Sequence, residues 1–283
     1  MDYEVVRDLK IIGEYLGLNE KELAQEIPLP FETLSRILNN KINASEDILE
    51  KIYSFAYEKG IRLNQTKIEA YKKRYDVVLL HGAKGNLEGK NSLDYSRLHV
   101  DLGKGFYTGN NYQQALDFVS HFPNSSVYVF KTDMKNLKVL KLTESIDWML
   151  FVAFNRGMLE EFKNTQKYQQ IMDKCNSFDV IISPIADNRM FDSIDSFING
   201  QITSEAAIQA INSLHIGEQI VFKTEKALQQ LIPLERLFLC KKEREDSFKH
   251  KSNLLEQSEN SVVKAYRDFA KRGLSVSEVF KDE

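Results

Sequence analysis

The stretch Asp76-Val-Val-Leu-Leu-His81-Gly82 marks the point at which a helical sequence pattern gives way to a strand-forming one. Its short apolar run ends in glycine, which is typical of a buried strand. From here to Cys240, short strand-like segments alternate irregularly with helical segments. A doubly wound parallel sheet would require a regular strand-helix-strand repeat, which the sequence lacks. The sequence therefore predicts an α+β fold.

Residues 1–74, which precede this strand, have a helical pattern. Apolar residues recur at spacings of three and four residues in 5–16 and again in 48–56, as expected for amphipathic helices. Asn19 and Glu22 have the spacing of a capping box at the start of a helix. The remaining helices of this all-α N-terminal bundle are expected over residues 20–25, 31–39 and 64–73.

Residues after the first strand show a mixture of patterns. Residues 84–94 are polar and contain glycine, so we predict a loop there. The stretch 98–108 is strand-like but rich in glycine, which indicates close approach of the backbone to a ligand. Residues 158–175 have a helical pattern, and 234–240 have the pattern of a last strand. The expected domains are the helical bundle over 1–74, an α+β domain over 75–242 and a polar helical tail over 243–283.

Composition excludes several classes of protein. The 283 residues are 42% hydrophobic and 28% charged, with a formal net charge of −3, as in an ordinary globular protein. No apolar run is long enough to span a bilayer, and the acidic N-terminus is unlike a signal peptide. The two cysteines, Cys175 and Cys240, lie far apart and show no ligand spacing, so neither a zinc site nor a disulfide framework is expected. We therefore expect a cytoplasmic protein without a metal or a membrane partner.

The segment Leu18–Lys41 resembles the helix-turn-helix of the phage-repressor-like family. A small residue, Ala24, stands where the two helices of such a motif approach each other, and Ile27 and Leu34 would fill the core between them. The resemblance implies that the second helix enters a major groove of DNA. Its candidate DNA-binding residues are Thr33, Ser35, Arg36 and Asn39.

The charge of the N-terminal region leaves a second interpretation open. Residues 1–75 carry 12 Lys and Arg against 13 Asp and Glu, whereas contacts to DNA phosphates normally need a basic face. Glu32, on the candidate recognition helix, would repel the DNA backbone. The same helices could instead form a dimerisation or docking module, for example for an antitoxin partner, or serve in substrate capture.

Three further segments carry the functional argument for the rest of the chain. They are Leu79-Leu-His-Gly82, Asp101-Leu-Gly-Lys-Gly-Phe-Tyr-Thr-Gly109 and Gly217-Glu-Gln-Ile-Val-Phe222. In this order they resemble the signature of ADP-ribosyltransferases of the diphtheria-toxin and poly(ADP-ribose) polymerase type. More closely, the chain resembles a bacterial family of uncharacterised domains placed in that superfamily. The resemblance covers about 160 residues and includes Gln114-Ala115, Asn155-Arg-Gly157, Asp179-Val-Ile-Ile and Ile185-Ala-Asp187.

The resemblance implies a split β-sandwich with flanking helices and a site that binds NAD⁺ and cleaves its nicotinamide–ribose bond. Because neutral nicotinamide leaves, no general acid is needed, and the site must fix the ribose and stabilise developing positive charge. His81 would donate a hydrogen bond to a ribose hydroxyl, and the Gly82 backbone would hold the nicotinamide amide. Tyr107 would offer its face to the pyridinium ring. Glycines Gly103 and Gly105 would let the chain approach the ligand closely.

The third catalytic position departs from the better-known enzymes. The resemblance places Gln219, rather than a glutamate, on the late strand. Glu218 is adjacent, but neighbouring side chains on a strand point to opposite faces. Gln219 can donate a hydrogen bond to the ribose 2′-hydroxyl but cannot supply a negative charge. Transfer of ADP-ribose and simple hydrolysis of NAD⁺ therefore both stay open.

Three other residues are predicted to contact the cofactor. Phe106 adjoins Tyr107 in the glycine-rich segment. Arg156 could bind a phosphate or cap the helix that Gly157 ends. Asp187 could be a site carboxylate or a turn residue. The histidines without such spacing are expected at the surface or in packing: His99, His121, His215 and His250.

The leading hypothesis is an ADP-ribosyltransferase-like enzyme that consumes NAD⁺ and uses a protein or nucleic-acid acceptor. A toxin or phage-defence role would suit the fused helical domain. The first alternative is a transcription regulator that senses NAD⁺ or ADP-ribose without chemistry. The second is an interaction protein whose pocket binds no NAD⁺.

Overall fold

The computed structural model describes residues 1–87, 93, 99–214 and 217–281, except for the side chains of residues 188 and 255–258. The chain is mixed α+β and folds into two compact units. The first unit comprises residues 1–89, 109–132 and 232–251, and the second comprises 90–108, 133–231 and 252–283. His215 and parts of the segments 84–94 and 98–108 lie outside the described residues.

The α-helices of the described residues are numbered in chain order. They are α1 (Val5–Leu16), α2 (Glu20–Glu26), α3 (Phe31–Leu38), α4 (Glu46–Glu58), α5 (Leu63–Arg74), α6 (Tyr112–Val119), α7 (Ile146–Asn155), α8 (Gln166–Asn176), α9 (Asn188–Ile198), α10 (Ser204–Asn212), α11 (Glu225–Leu228), α12 (Lys241–Phe269) and α13 (Val276–Val279). The strands are β1 (Val78–Ala83), β2 (Phe106–Gly109), β3 (Ser126–Lys131), β4 (Val139–Lys141), β5 (Val180–Pro184), β6 (Glu218–Phe222) and β7 (Ile232–Phe238).

Three antiparallel strands, in the order β1-β3-β7, form the sheet framework of the first unit. Alternate residues of these strands, such as Leu80, Val129 and Leu237, pack with α6 in one hydrophobic cluster. The helices α1–α4 enclose another cluster, which also contains Phe238 and Cys240. The end of β7 is therefore part of the core of the N-terminal bundle.

A buried network of charges joins the N-terminal helices to β7. The Lys67 ammonium of α5 donates to Asp8 of α1 at 2.7 Å and to Glu235 of β7 at 2.8 Å. Arg7 pairs with the other Glu235 oxygen at 2.6 Å, and Tyr71 donates to that oxygen at 2.9 Å. Charges removed from water in this way are stable only while they stay paired. The bundle and the strand are thus held together by charge as well as by apolar packing.

In the second unit the strand order is β4-β5-β6-β2. Strands β4 and β5 are parallel, whereas β5 and β6 are antiparallel, with Ser183 opposite Gln219. The helix α7 is apolar on all sides and buried from Trp148 to Phe154, at the centre of the core. The Trp148 indole N–H donates to Ser183 Oγ at 2.8 Å, so the one polar atom of this side chain is satisfied.

The structure confirms most of the predicted elements. The helices expected within 1–74 are present, with the capping box of Asn19 and Glu22. The helix expected over 158–175 is instead a short 3-10 turn, Glu160–Phe162, followed by α8, because the Thr165 side chain caps a new helix start. The last strand ends at Phe238 rather than at residue 240, since α12 begins three residues later.

The glycine-rich stretch 98–108 forms a strand only from Phe106 onward in its described part. Its turn centres on Gly103, whose φ of +71° lies in the left-handed region. The predicted boundaries of the three domains, 1–74, 75–242 and 243–283, stay predictions. Residues 232–251 belong to the same compact unit as the N-terminal helices, because β7 completes the core of these helices.

Candidate functional site

Asp101, Arg156 and Gln219 meet in the second unit. Asp101 accepts from Arg156 Nε at 2.8 Å and from Arg156 Nη2 as well. Gln219 and the Ala186 backbone N–H also donate to Asp101. Burial raises the pKa of the Asp101 carboxyl, and these donors oppose the rise because they favour its ionised form. The cluster thus contains a carboxylate, a guanidinium and an amide at the start of β6.

Gln219 is buried, with 7% of its surface exposed. Its amide nitrogen donates to the Pro184 carbonyl at 3.0 Å in addition to Asp101. Glu218, the preceding residue, is half-exposed and pairs with Lys141 at 2.8 Å. The two side chains therefore point to opposite faces, as expected for neighbours on a strand. The predicted catalytic position carries an amide, and the adjacent carboxylate is turned away from it.

Arg156 follows α7 directly and caps its C-terminal end with its backbone. Its guanidinium lies 4.3 Å from the centre of the Phe191 ring and is ion-paired with Asp101. Arg156 thus caps the helix that ends before Gly157, which was one of its two predicted roles, and its contact with a phosphate stays a prediction. The pairing with Asp101 also means that a phosphate would have to compete with a buried carboxylate for this arginine.

Tyr107 closes the turn that Gly103 makes. Its hydroxyl donates to the Gly103 carbonyl at 2.8 Å and accepts from Leu102 N–H at 3.0 Å. The ring packs partly against the hydrophobic core of this unit. Burial raises the pKa of the Tyr107 hydroxyl well above its ordinary value, so the group stays a neutral donor. Tyr107 shapes the segment that sequence analysis associated with the ligand.

Packing within the protein is enough to explain why glycine occupies positions 103 and 105, which were predicted to contact the ligand. A Cβ atom at Gly103 would lie 2.5 Å from the Asn155 Oδ1 atom, and one at Gly105 would lie 2.5 Å from Val221. The backbone of this segment therefore approaches α7 and β6 closely. Phe106, which follows Gly105, is half-buried at the first position of β2. Contact of these residues with NAD⁺ stays a prediction.

Two residues near this turn were missed by sequence reasoning. Lys223 donates to the Leu102 carbonyl, and burial lowers the pKa of its ammonium to about 8. Asp101 begins the quoted glycine-rich motif, but its position gave no indication of the pairing with Arg156. Asp101 and Lys223 both lie at the turn around Gly103. Their partners are far away in the sequence, so no local sequence pattern could reveal these contacts.

Asp187 is the N-cap of α9. One of its oxygens accepts from the backbone N–H groups of Arg189 and Met190, at 3.0 and 3.1 Å. The other accepts from the Arg189 side chain at 2.9 and 2.8 Å. Both oxygens are used, so the geometry favours the turn alternative over a carboxylate that faces a ligand.

His81 and Gly82 belong to the first unit. His81 is half-buried on β1, opposite Tyr128 of β3. A Cβ atom at Gly82 would lie 2.5 Å from the Ala115 carbonyl oxygen of α6. Gly82 is thus needed where the helix crosses the strand, whether or not its backbone also meets nicotinamide. The assignment of His81 to the ribose stays a prediction.

The candidate DNA-binding residues lie on and just after α3. Ala24, Ile27 and Leu34 are buried in the bundle core, and the helix-turn-helix assignment itself stays a prediction. Arg36 and Asn39 are exposed, whereas Thr33 and Ser35 are half-buried. The Asn39 amide donates to the Ser35 carbonyl at 2.7 Å, so it is tied to its own helix. DNA binding stays a prediction.

Within the described ranges, no cluster of three or more His, Cys, Asp or Glu side chains has a geometry suited to a metal ion. No helix in this part of the chain combines the length and the apolar character needed to cross a membrane.

The model of a protein family described as "Protein of unknown function (DUF3990)" matches residues 77–232. This match spans more than half of the chain, so the protein belongs to that family. The matched region begins beside β1 and includes His81, Tyr107, Arg156 and Gln219. Searches of curated proteins and of solved structures gave no significant match.

Proposed function

We propose that the protein is an ADP-ribosyltransferase-like enzyme, with the split β-sandwich of that class, which cleaves the nicotinamide–ribose bond of NAD⁺. The observation that carries the proposal is the placement of Tyr107 and Gln219 on neighbouring strands, β2 and β6, of one unit. These are the strands on which the resemblance places the stacking tyrosine and the residue that binds the 2′-hydroxyl. The closed turn at Gly103 lies directly before that tyrosine.

The chemistry that this site must supply is limited. Nicotinamide leaves as a neutral group, so the protein needs to orient the ribose and to stabilise positive charge on it. Among the described residues, the Asp101 carboxylate beside Gln219 could supply negative charge, although its ion pair with Arg156 largely offsets that charge. Because the net negative charge beside the ribose would be small, we expect cleavage to be slow. The acceptor of ADP-ribose is then a protein, a nucleic acid or water.

The test is release of nicotinamide from NAD⁺ by the purified full chain. We expect the wild type to release nicotinamide, and His81→Ala to reduce the release by about tenfold or more, as for loss of a substrate-positioning group. His121→Ala, an exposed histidine of the same unit, is the matched control and should keep wild-type activity. Absence of release with candidate protein and nucleic-acid acceptors present would refute the proposal.

A second candidate function has its own support. The Gln219 amide is already bonded to Pro184 and Asp101, so its nitrogen is committed to the protein. A site of this kind would bind NAD⁺ or ADP-ribose without cleaving it. Together with Thr33, Ser35, Arg36 and Asn39 on a DNA-binding bundle, it would make a transcription regulator. Calorimetric binding of NAD⁺ without turnover, with salt-sensitive DNA binding that Arg36→Ala weakens, would favour this function.

The biological role that we associate with the enzyme is that of a toxin or phage-defence effector. An enzyme that consumes NAD⁺ requires control, which a bundle that binds DNA or an antitoxin would supply. Expression of the wild type in a bacterial host should lower cellular NAD⁺ and arrest growth. Expression of His81→Ala should do neither, and growth arrest by both proteins would argue against an NAD⁺-dependent toxin.

A further inference from the structure

A polar row crosses the sheet of the first unit beside His81. The strand register pairs His81 with Tyr128, and Tyr128 with Arg236. Directly opposed residues of antiparallel strands project from the same face. His81 and Arg236 therefore lie on one face, separated by one strand and thus by roughly 10 Å.

The guanidinium of Arg236 is held in place by neutral groups. Its Nε donates to Ser126 Oγ at 3.0 Å, and its Nη1 donates to Asn86 Oδ1 at 3.0 Å. The Tyr3 ring lies 4.4 Å from the guanidinium carbon. The Tyr128 hydroxyl donates to the same Asn86 oxygen at 2.9 Å. Arg236 is thus half-buried and oriented before any ligand arrives.

Among the described residues, Arg236 has no carboxylate partner of the kind that three other arginines have. Arg7 pairs with Glu235, Arg156 with Asp101 and Arg189 with Asp187. In the described part of the chain, no carboxylate oxygen lies within 4.0 Å of an Arg236 nitrogen. A preorganised guanidinium that carries an uncompensated charge is suited to a bidentate anion such as a phosphate.

We propose that Arg236 forms an anion site for the diphosphate of a nucleotide, at the opposite end of the row from His81. This proposal rests on the proposed NAD⁺-binding function, and it names the residue that would bind the phosphates of NAD⁺. It uses Arg236 rather than Arg156, because Arg156 is already neutralised by Asp101. Asn86 and Tyr128 orient the guanidinium, and the Tyr128 hydroxyl also accepts from Leu87 N–H at 3.0 Å, just after β1.

Calorimetry on the full chain with ADP, adenosine and inorganic diphosphate as separate ligands tests the site. We expect Arg236→Gln to weaken ADP binding by about tenfold or more, the effect of losing a charge-assisted bidentate contact. Binding of adenosine should be unchanged. Arg236→Lys keeps the positive charge but loses the bidentate geometry of the guanidinium, so its affinity for ADP should lie between those of the wild type and Arg236→Gln. Arg74→Gln removes an exposed arginine of the same unit and should behave as wild type.

A measurement on the wild type covers the case in which the variants do not fold. Modification of arginines with a dicarbonyl reagent, followed by peptide mass analysis, should show that ADP protects Arg236. Protection by a DNA duplex but not by ADP would overturn the proposal, as would equal ADP affinity of wild type and Arg236→Gln. These readouts need no turnover. Failure of nicotinamide release with intact ADP binding would refute the cleavage proposal alone.

Discussion

The Lys67 ammonium on α5 lies 2.8 Å from Glu235 on β7, although the two residues are separated by 168 positions in the sequence. Both side chains are almost completely buried, and Asp8 shares the same ammonium. Burial works against the charged form of Glu235, but Lys67 and Arg7 outweigh it, and its pKa is lowered. This ion pair links helix α5 directly to strand β7.

Replacement of Lys67 by Met should destabilise the protein strongly, by about 3–5 kcal/mol, because it removes the closest cation of buried Asp8 and leaves Glu235 with Arg7 alone. Urea denaturation of the variant measures the loss. Lys72→Met, at a more exposed position of the same helix, is the control and should change the free energy of unfolding little. Similar losses for the two variants would contradict a structural role for the network.

The same network predicts a loss of stability in acid. Because the pKa of Glu235 is lower in the folded chain than in the unfolded chain, its contribution is fully present above the ordinary glutamate value of 4.5. It declines as the pH falls through the folded-state pKa. Thermal melting from pH 6 to pH 3 should show this decline. Glu235→Gln should show a smaller dependence on pH over this window.

Glu243 predicts the opposite dependence on pH. Burial raises its pKa from 4.5 to about 7, although the hydrogen bonds that Tyr112 and Asn64 donate to it act in the opposite direction. The folded chain therefore holds this proton more tightly, and its stability should fall as the pH rises from about 4.5 to 7. Glu243→Gln should remove this decline and be more stable than the wild type at pH 8, by up to a few kcal/mol.

The comparison is best made by urea denaturation at pH 5 and at pH 8. Glu245→Gln, an exposed neighbour on the same helix, should leave the pH dependence as it is. An identical pH profile for wild type and Glu243→Gln would show that Glu243 titrates normally. Glu243 lines a cavity of about 180 Å³ together with Tyr57 and Arg62.

Gly82→Ala should destabilise the chain by about 1–3 kcal/mol, since the added methyl group would lie 2.5 Å from the Ala115 carbonyl oxygen. Differential scanning calorimetry can detect this loss. Gly85→Ala is a matched control, because nothing lies within 4 Å of a Cβ atom there. If Gly82→Ala kept full stability but lost nicotinamide release, the glycine would act on the ligand rather than on α6.

Gln219→Glu tests the chemistry of the third predicted position. The change would place a carboxylate oxygen against the Pro184 carbonyl and beside Asp101, in a buried setting. We expect a loss of roughly 1–3 kcal/mol at pH 7 that shrinks in acid, where the new group is protonated. Denaturation at pH 5 and pH 7 measures it. Stability equal to wild type at both values would mean that the site accommodates a charge.

The sequence predicted the helices and strands better than it predicted the long-range contacts between their side chains. The helices near 5–16 and 64–73, the strand at 218–222 and the capping box at Asn19 rest on local patterns, and the structure has them. Long-range pairings leave no such pattern. No local pattern indicates that Asp101 pairs with Arg156, or that Glu235 pairs with Lys67. The candidate site was accordingly predicted as motifs, without the carboxylate that lies beside Gln219.

The role of β7 in the N-terminal core has a consequence for synthesis of the protein. Phe238, Cys240 and Glu235 complete a bundle whose helices are all made before residue 75. Until that late segment leaves the ribosome, Asp8 and Lys67 have no Glu235 to close their network, and part of the bundle core stays open to water. Contacts so distant along the chain close slowly. The N-terminal bundle therefore reaches its final state only after the segment that contains β7 has been made.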